Sequence, residues 1–386
     1  MESWQLPEHI ADVLASDALY LEKMRSLLLR LFYSHGYQLI FPPLIEYAET
    51  LLINKDKGLK KKTIYFTDQL SGALLGVRAD PTPQIRRIDA HLSKKGELRR
   101  FCYAVPSLHA LPSSLFADRE PLQVGAELFG LKSTKADLEI INLMLETVAL
   151  LTSKKILLSV SHVQVFKDLA KAAKLNSEIQ EKIALLIRSK NISSLKNLME
   201  NLNLPHKQQE LFLLLPELYG EGDTVLKKAK RHLPSSPAIQ NALQEVSDVL
   251  DFFKDFPIYV DLAELPIDHY HTGLLYSVYL DSWSKPLVRG GRYTGFKAEG
   301  EGRSASGFSF DLKDFLGDAS NNHTREAIAV SIEDYRPAKS FIQKLRESGK
   351  IVAIDYQEAG KDSELRFGQK IVCKNGSWAL MALEKD

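Results

Sequence analysis

The sequence predicts an α+β protein: an antiparallel-rich sheet flanked by helices, carrying a helical insertion and ending in a small α/β unit. Three observations lead there. Short strand-like runs between Thr63 and Gly130 alternate with turns, without the regular βαβ rhythm of a doubly wound sheet. From His162 to Phe253 the composition turns Leu- and Lys-rich with helical periodicity, and strand-like text resumes at Ile258. After a polar link at Gly317–Arg325, a strand–helix–strand pattern leads to a closing hairpin. These shifts divide the 386 residues into a sheet domain (1–161 with 255–318), a helical insertion (162–254) and a terminal α/β unit (324–386).

Each element has a local reason. Leu21, Met24, Leu28, Leu31 and Phe32 share one helix face, which predicts a helix over Asp17–His35 with Gly36 as its C′ residue. Tyr37–Phe41 then reads as a strand stopped by Pro42 and Pro43. The basic run Lys55–Lys62 reads as a solvated loop. Strands are expected at Thr63–Thr67, Ala73–Arg78, Arg100–Ala104 and Pro121–Leu128, with helices at Pro83–Leu92 and from Thr134 to Leu151. Pro83 falls in a first helical turn, where its missing N–H costs nothing. The helices of 162–254 break at Asn191, Leu204-Pro205, Gly220–Asp223 and Pro234–Pro237. In the last of them Ser236 is the expected N-cap, Pro237 the first residue, and Ile239, Leu243, Val246, Leu250 and Phe253 the buried stripe. Further strands are expected at Ile258–Leu262, Leu274–Leu280, Pro286–Arg289 and Ser306–Phe310. In the terminal unit, Ala327–Ser331 and Ile351–Asp355 are strands around a helix at Ala338–Glu347, and Asn375-Gly376 turns a final hairpin.

Composition excludes several classes of function. The formal net charge is +1, so the chain lacks the basic footprint of a dedicated nucleic-acid binder. Its two cysteines, Cys102 and Cys373, form neither a disulfide framework nor a C-x-x-C pair. The segment from Met1 to Leu14 has no apolar core like that of a signal peptide, and no apolar run approaches the length of a membrane span. A soluble cytoplasmic protein is expected.

No phosphate-loop pattern, zincin motif or nucleophile-elbow pattern is present. In Asp268-His269-Tyr270-His271 the two histidines would share one face without a third ligand, too little for a metal site. More telling are polar residues set in apolar strands. Asp80 and Thr82 close the Arg78–Thr82 segment two residues apart, and Gln123, Gly125 and Glu127 share one face of Pro121–Leu128. A glycine between two polar residues leaves room for a ligand against the sheet. Burying Asp80, Gln123 and Glu127 unpartnered would cost roughly 1–3 kcal/mol each. Either they pair among themselves, or they are kept for a small zwitterion or cation whose ammonium and ring N–H suit two carboxylates and an amide.

These segments, in this order, resemble histidyl-tRNA synthetases and their paralogues, the regulatory subunits of ATP phosphoribosyltransferase, over nearly the whole chain. Gly36–Glu46 looks like class II motif 1, which implies a self-dimer interface. The resemblance implies that Asp80 and Thr82 hold a histidine ammonium, that Gln123 and Glu127 at the end of motif 2 are further contacts, and that Tyr270 and His271 flank the imidazole. His271 departs from a tyrosine there. Gly290–Tyr293 and Gly307–Leu312 match the strands of motif 3.

Further departures bear on activity. Adenylate formation needs cations around ATP phosphates. At the motif 2 arginine this chain has His109, at the motif 3 arginine Asp314, and ahead of the tyrosine pair Pro266; Lys313 beside Asp314 would point the other way. Each lost electrostatic group costs on the order of 10²–10³ in rate. The opening Trp4–Leu14 and the run Ala79–His91 resemble the regulatory paralogue more than the synthetase, and the terminal unit is short for an anticodon-binding domain. The resemblance therefore implies a non-catalytic, histidine-sensing chain without cofactor or metal. Its implied partner is a short-form ATP phosphoribosyltransferase catalytic subunit in a hetero-octamer. An active synthetase, a synthetase-like ligase or tRNA-binding protein, and a pure scaffold are the alternatives.

Overall fold

The computed structural model describes residues 5–51, 57–94, 96–112, 114–115, 117–266, 271–281, 285–295, 302–318, 325–356 and 365–383. They form two compact units, Met1–Asp318 and Ala319–Asp386.

The first unit opens with α1 (Ala15–Ser34), β1 (Gln38–Leu39), β2 (Ile45–Tyr47), α2 (Ala48–Leu51) and α3 (Lys57–Lys62). Next come β3 (Ile64–Thr67), β4 (Leu74–Val77), α4 (Thr82–Leu92), β5 (Arg99–Pro106), β6 (Leu122–Phe129), α5 (Thr134–Leu151) and β7 (Ile156–His162). Helices α6 (Val163–Ala172), α7 (Ser177–Arg188), α8 (Ile192–Asn201) and α9 (His206–Leu214) lead to β8 (Tyr219–Glu221). The unit closes with α10 (Gly222–His232), α11 (Pro237–Phe252), β9 (Ile258–Asp261), β10 (His271–Leu280), β11 (Val288–Thr294) and β12 (Ser304–Asp311).

The main sheet runs β1-β5-β6-β12-β11-β10-β7-β9-β8, antiparallel apart from the parallel pairs β1–β5 and β7–β9. A small antiparallel sheet, β2-β4-β3, stands apart from it. Period-two alternation separates the faces of the main sheet. Cys102, Ala104, Val124, Ala126 and Leu128 join Leu21, Leu28 and Phe32 of α1 and the apolar faces of α5 and α11 in one large core. Phe101, Tyr103, Val105, Phe129, Tyr293 and Ala305 point to the other side, where Ile85 of α4 packs on them. Burying these side chains, each contributing roughly 1.5–3 kcal/mol, holds α4 against the sheet.

Local chemistry sets the element ends. Ser133 Oγ accepts from the Lys135 amide at the start of α5, and Ser236 Oγ accepts from the Ile239 amide ahead of Pro237 in α11. Gly36, with φ of 80°, ends the turn after α1.

Three expectations need correction. Residues Lys57–Lys62 are helical, with Leu59 O accepting the Thr63 amide; the loop reading ignored lysine's good helix propensity. The chain at Gly220–Asp223 is not merely a break, because Tyr219–Glu221 pairs with β9 as the edge of the main sheet. Residues Ile156–His162, which no strand expectation covered, form β7 between β10 and β9; its Leu158–Ser161 alternation is only four residues long and abuts the helical text that starts at Val163.

Glycine 125 is also occupied differently from the sequence reading. A Cβ there would lie 2.5 Å from the Tyr103 hydroxyl and 2.6 Å from the Phe308 carbonyl, so Tyr103, not open space, covers it. Gly125→Ala is expected to destabilise the protein by about 1–3 kcal/mol through overpacking. Denaturant unfolding measures this, and an unchanged midpoint would show that Tyr103 moves aside freely.

The second unit is a four-stranded sheet in the order β14-β13-β15-β16. Its strands are β13 (Arg325–Val330), β14 (Val352–Ile354), β15 (Leu365–Lys374) and β16 (Ser377–Ala382), with helices α12 (Ile332–Tyr335) and α13 (Lys339–Glu347). Ala338 and Ile342 pack on Ile328, Val330, Val352 and Ile371. Asn375 and Gly376, at φ of 50° and 76°, turn the closing hairpin.

Candidate ligand site

The site lies on the sheet face that carries α4. From β6 come Gln123 and Glu127, on the same side of the strand two positions either side of Gly125. Gly307 of β12 sits opposite Glu127, and a Cβ there would meet Glu127 Cγ at 2.8 Å, so this glycine makes room for the carboxylate stem. Tyr293 of β11 donates its hydroxyl to Glu127 Oε2. Thr82, at the start of α4, adds a second hydroxyl to the Glu127 carboxyl.

Glu127 is 2% exposed. Burial pushes its carboxyl up and Asp80 adds to the rise. The bonds from Tyr293 and Thr82 and the nearby Arg86 charge pull it back only in part, to about 8. Tyr103, whose hydroxyl lies over Gly125, is raised well above the usual phenol range by burial and by Glu127 and Asp80. That hydroxyl has Thr82 and Ser309 beside it, yet it has no protein hydrogen bond of good geometry.

Asp80 has a structural task as well: its Oδ1 accepts from the Thr82 amide at 2.8 Å, ordering the entry to α4. Gln123 accepts from Ser107 Oγ at 2.9 Å through Oε1, which leaves its amide N–H groups for another partner.

His271 starts β10 in register with Tyr293, and their rings meet edge to face with centroids 6.5 Å apart. Gly291 accommodates the imidazole, since a Cβ there would lie 2.8 Å from His271 Cδ2. Burial, then the Lys167 and Arg86 charges, hold the ring down at about 3, so it is neutral at ordinary pH. Tyr270 lies outside the described residues, as do Asp268 and His269. The chain just before them is pinned by Glu264, which accepts from Ser277 Oγ at 2.8 Å and Ser159 Oγ at 3.2 Å.

Thus Asp80, Thr82 and Glu127 come together with His271 on one side and Gln123 on the other. Sequence reasoning missed three members. Tyr293 was in view as part of the Gly290–Tyr293 run, and period two would have placed it beside Gly291 on the site face. Arg86 follows Thr82 by one helical turn, a spacing that puts both on one side of α4. Tyr103 gave no signal, because an aromatic residue in a strand reads as core.

The three positions where the sequence departs from the synthetase pattern are also in place. His109 Nε2 lies 3.0 Å from the Ala79 carbonyl, and burial followed by Lys62 holds its pKa below the usual value. The neighbouring Arg119 donates Nε to the His109 carbonyl at 2.9 Å. Asp314 is exposed, while Lys313 turns to Asp118 in a 2.7 Å ion pair. Pro266 follows the Glu264 anchor. No group of three or more metal-ligating side chains occurs among the described residues.

Behind the site, on the helix face, Arg292 donates to Asp137 of α5 and, at 2.9 Å, to Glu245 of α11. His162 accepts the Gln164 amide through Nδ1, so Nε2 carries the proton and donates to Glu245 at 2.8 Å. Ser306 donates to Asp137 at 2.6 Å. Burial pushes Glu245 up, but the bonds from His162 and Arg292 outweigh it and hold the carboxyl at about 2.

A family model for histidyl-tRNA synthetase matches residues 9–315. The ATP phosphoribosyltransferase regulatory subunit of Neisseria meningitidis is 43% identical over 383 residues, covering 99% of this chain and 100% of that protein. Among solved structures, the ATP phosphoribosyltransferase regulatory subunit/histidyl-tRNA synthetase from Bacillus halodurans matches with a TM-score of 0.82 at 22% identity. That match covers 95% of this chain and 98% of the other. A chain of the ATP phosphoribosyl transferase (HisG:HisZ) complex from Thermotoga maritima matches with a TM-score of 0.58 at 19% identity, over 78% of this chain and 98% of that one. The two structural likenesses show the fold, and identity over essentially the full length shows the family: this chain belongs to the ATP phosphoribosyltransferase regulatory subunits, built on a histidyl-tRNA synthetase fold.

Proposed function

We propose that this chain is a non-catalytic partner of a short-form ATP phosphoribosyltransferase catalytic subunit, needed for the first step of histidine biosynthesis, and that it lets free histidine inhibit that step. The observation that carries the reading is the contrast between two halves of one site. The half that would hold an amino acid keeps Asp80, Thr82, Gln123 and Glu127. The half that would hold ATP phosphates has His109, Asp314 and Pro266 where a synthetase needs cations, and two of the cationic side chains near them, Arg119 and Lys313, are engaged elsewhere. The partnership is supported by the Neisseria relative, a regulatory subunit of ATP phosphoribosyltransferase, and by the Thermotoga HisG:HisZ complex.

In this reading the ammonium sits between Asp80 and Thr82, Gln123 supplies amide donors, and the ring takes the end lined by Glu127, Tyr293 and His271. Histidine acts by favouring one quaternary state, for which a coupling of about 1–3 kcal/mol suffices. The assembly is a hetero-octamer in which copies of this chain pair through residues 36–46. Apolar side chains left exposed there support that pairing: Phe41 is 64% exposed, Leu44 48% and Ile45 44%.

The test is phosphoribosyltransferase activity of the short catalytic subunit with and without this chain, across a histidine titration. Activation that histidine then suppresses is the expected result. An unchanged rate and no histidine response would refute the reading. Histidine-dependent ATP–pyrophosphate exchange by this chain alone would instead support an active synthetase.

A further inference from the structure

Two cationic side chains stand at the ring end of the site. Arg86, only 6% exposed, reaches from α4 so that its guanidinium carbon lies 5.6 Å from the centre of the Tyr293 ring. Its Nη2 donates to the Thr294 carbonyl at 2.8 Å, which fixes it against β11. Lys167 reaches from α6 on the other side and donates Nζ to the His271 carbonyl at 2.5 Å. The groups facing Glu127 are Asp80 before α4, Thr82 and Arg86 of α4, Tyr103 of β5 and Tyr293 of β11. Those facing His271 are Lys167, Arg86 and Tyr293.

A neutral imidazole has one N–H donor and one acceptor nitrogen, whereas an imidazolium has two donors and a positive charge. The ring end offers the Glu127 carboxyl, which burial keeps protonated below about 8, and cationic donors beside it. An imidazolium would bring a third positive charge next to two. We propose that Arg86 and Lys167 make this pocket select an uncharged azole ring, so that histidine is held as its neutral tautomer. This rests on the histidine reading above. Arg86 is thereby a specificity-determining residue, with Lys167 assisting.

The experiment is nitrogen NMR of ring-labelled histidine bound to the full-length chain. It is run at neutral pH and at about pH 5.5, below the ordinary histidine pKa of about 6.5. The expected result is two well-separated ring-nitrogen signals at both pH values, the signature of a neutral tautomer. Convergence of the two signals at neutral pH would overturn the proposal while leaving histidine binding intact. If no histidine binds at all, the histidine reading fails and this proposal with it. The comparison ligand is 1,2,4-triazolylalanine, whose ring stays uncharged over this range. At about pH 5.5, where only about a tenth of free histidine has a neutral ring, Arg86→Met should raise the preference for histidine over the triazole about tenfold, and Arg86→Lys should leave it near the parent value. An unchanged ratio in folded Arg86→Met overturns the assignment. Should that variant not fold, Lys167→Met at a half-buried position carries the same expectation, and an unchanged ratio there counts against it equally.

Discussion

Glu127→Gln is expected to weaken histidine binding by at least about a hundredfold and at the same time to make the empty protein more resistant to unfolding at alkaline pH. Both halves follow from one buried carboxyl. Glutamine keeps an oxygen for the Tyr293 hydroxyl, so the fold loses little, but unlike the carboxyl it cannot ionise to meet a ring N–H. The pH dependence has a definite sign. Glutamate titrates near 4.3 in an unfolded chain, while Glu127 in the folded protein is pushed up to about 8. Between those values the unfolded state holds fewer protons, so folding stability falls as pH rises through that window. At pH below about 4 the penalty is absent. With each unit equivalent to about 1.4 kcal/mol, the penalty at pH 8 and above is of order a few kcal/mol, and Glu127→Gln removes it. Denaturant midpoints of the two proteins should coincide near pH 4 and diverge by pH 9, with the variant higher. Parallel curves would mean that Glu127 is not the group responsible. Undiminished histidine affinity, read by calorimetry, would mean that the ligand is held elsewhere.

The second large effect concerns the helix side of the sheet. Arg292→Met should destabilise the protein by about 3–5 kcal/mol, the usual penalty for leaving a buried charge without its partner. Asp137 is fully buried, and burial already raises its carboxyl despite the arginine beside it. Without Arg292 the rise becomes larger. The unfolded aspartate ionises from about 3.9 upward, so the variant loses further stability as pH climbs through that value. The double change Arg292→Met with Asp137→Asn should recover part of the loss, because it removes the stranded charge. Equal unfolding midpoints for the single and double variants would locate the loss in packing around Gly273, where a Cβ would lie 3.0 Å from Arg292 Cβ, and not in electrostatics. This network also sits one residue from the site: Arg292 faces the helices and Tyr293 faces Glu127, so the same strand backbone anchors both.

What the amino-acid sequence determined by itself is whatever depends on neighbours a few residues away. The Ser236–Pro237 start of α11, the Asn375-Gly376 turn and the alternation that sends Gln123 and Glu127 to one face and Val124, Ala126 and Leu128 to the other are all local. The α+β class followed from the same information, since helix and strand periodicities differ. Tertiary structure decided everything that depends on register between distant strands. Tyr293 and Glu127 are 166 residues apart and meet because β12 brings Gly307 between β6 and β11. Tyr103 reaches Gly125 because β5 and β6 pair at those two residues, so the apparent opening for a ligand is filled from the next strand. Strand β7 escaped the pattern because its Leu158–Ser161 alternation is only four residues long beside helical text, and edge strand β8 because three residues are too few to show one. Arg86 and Lys167, drawn from two helices, reach one ring end only once both helices pack on the sheet. Residue types set which chemistry was possible. Strand register and helix packing decided which of those groups come together, because side chains interact over a few ångströms of space whatever their separation along the chain.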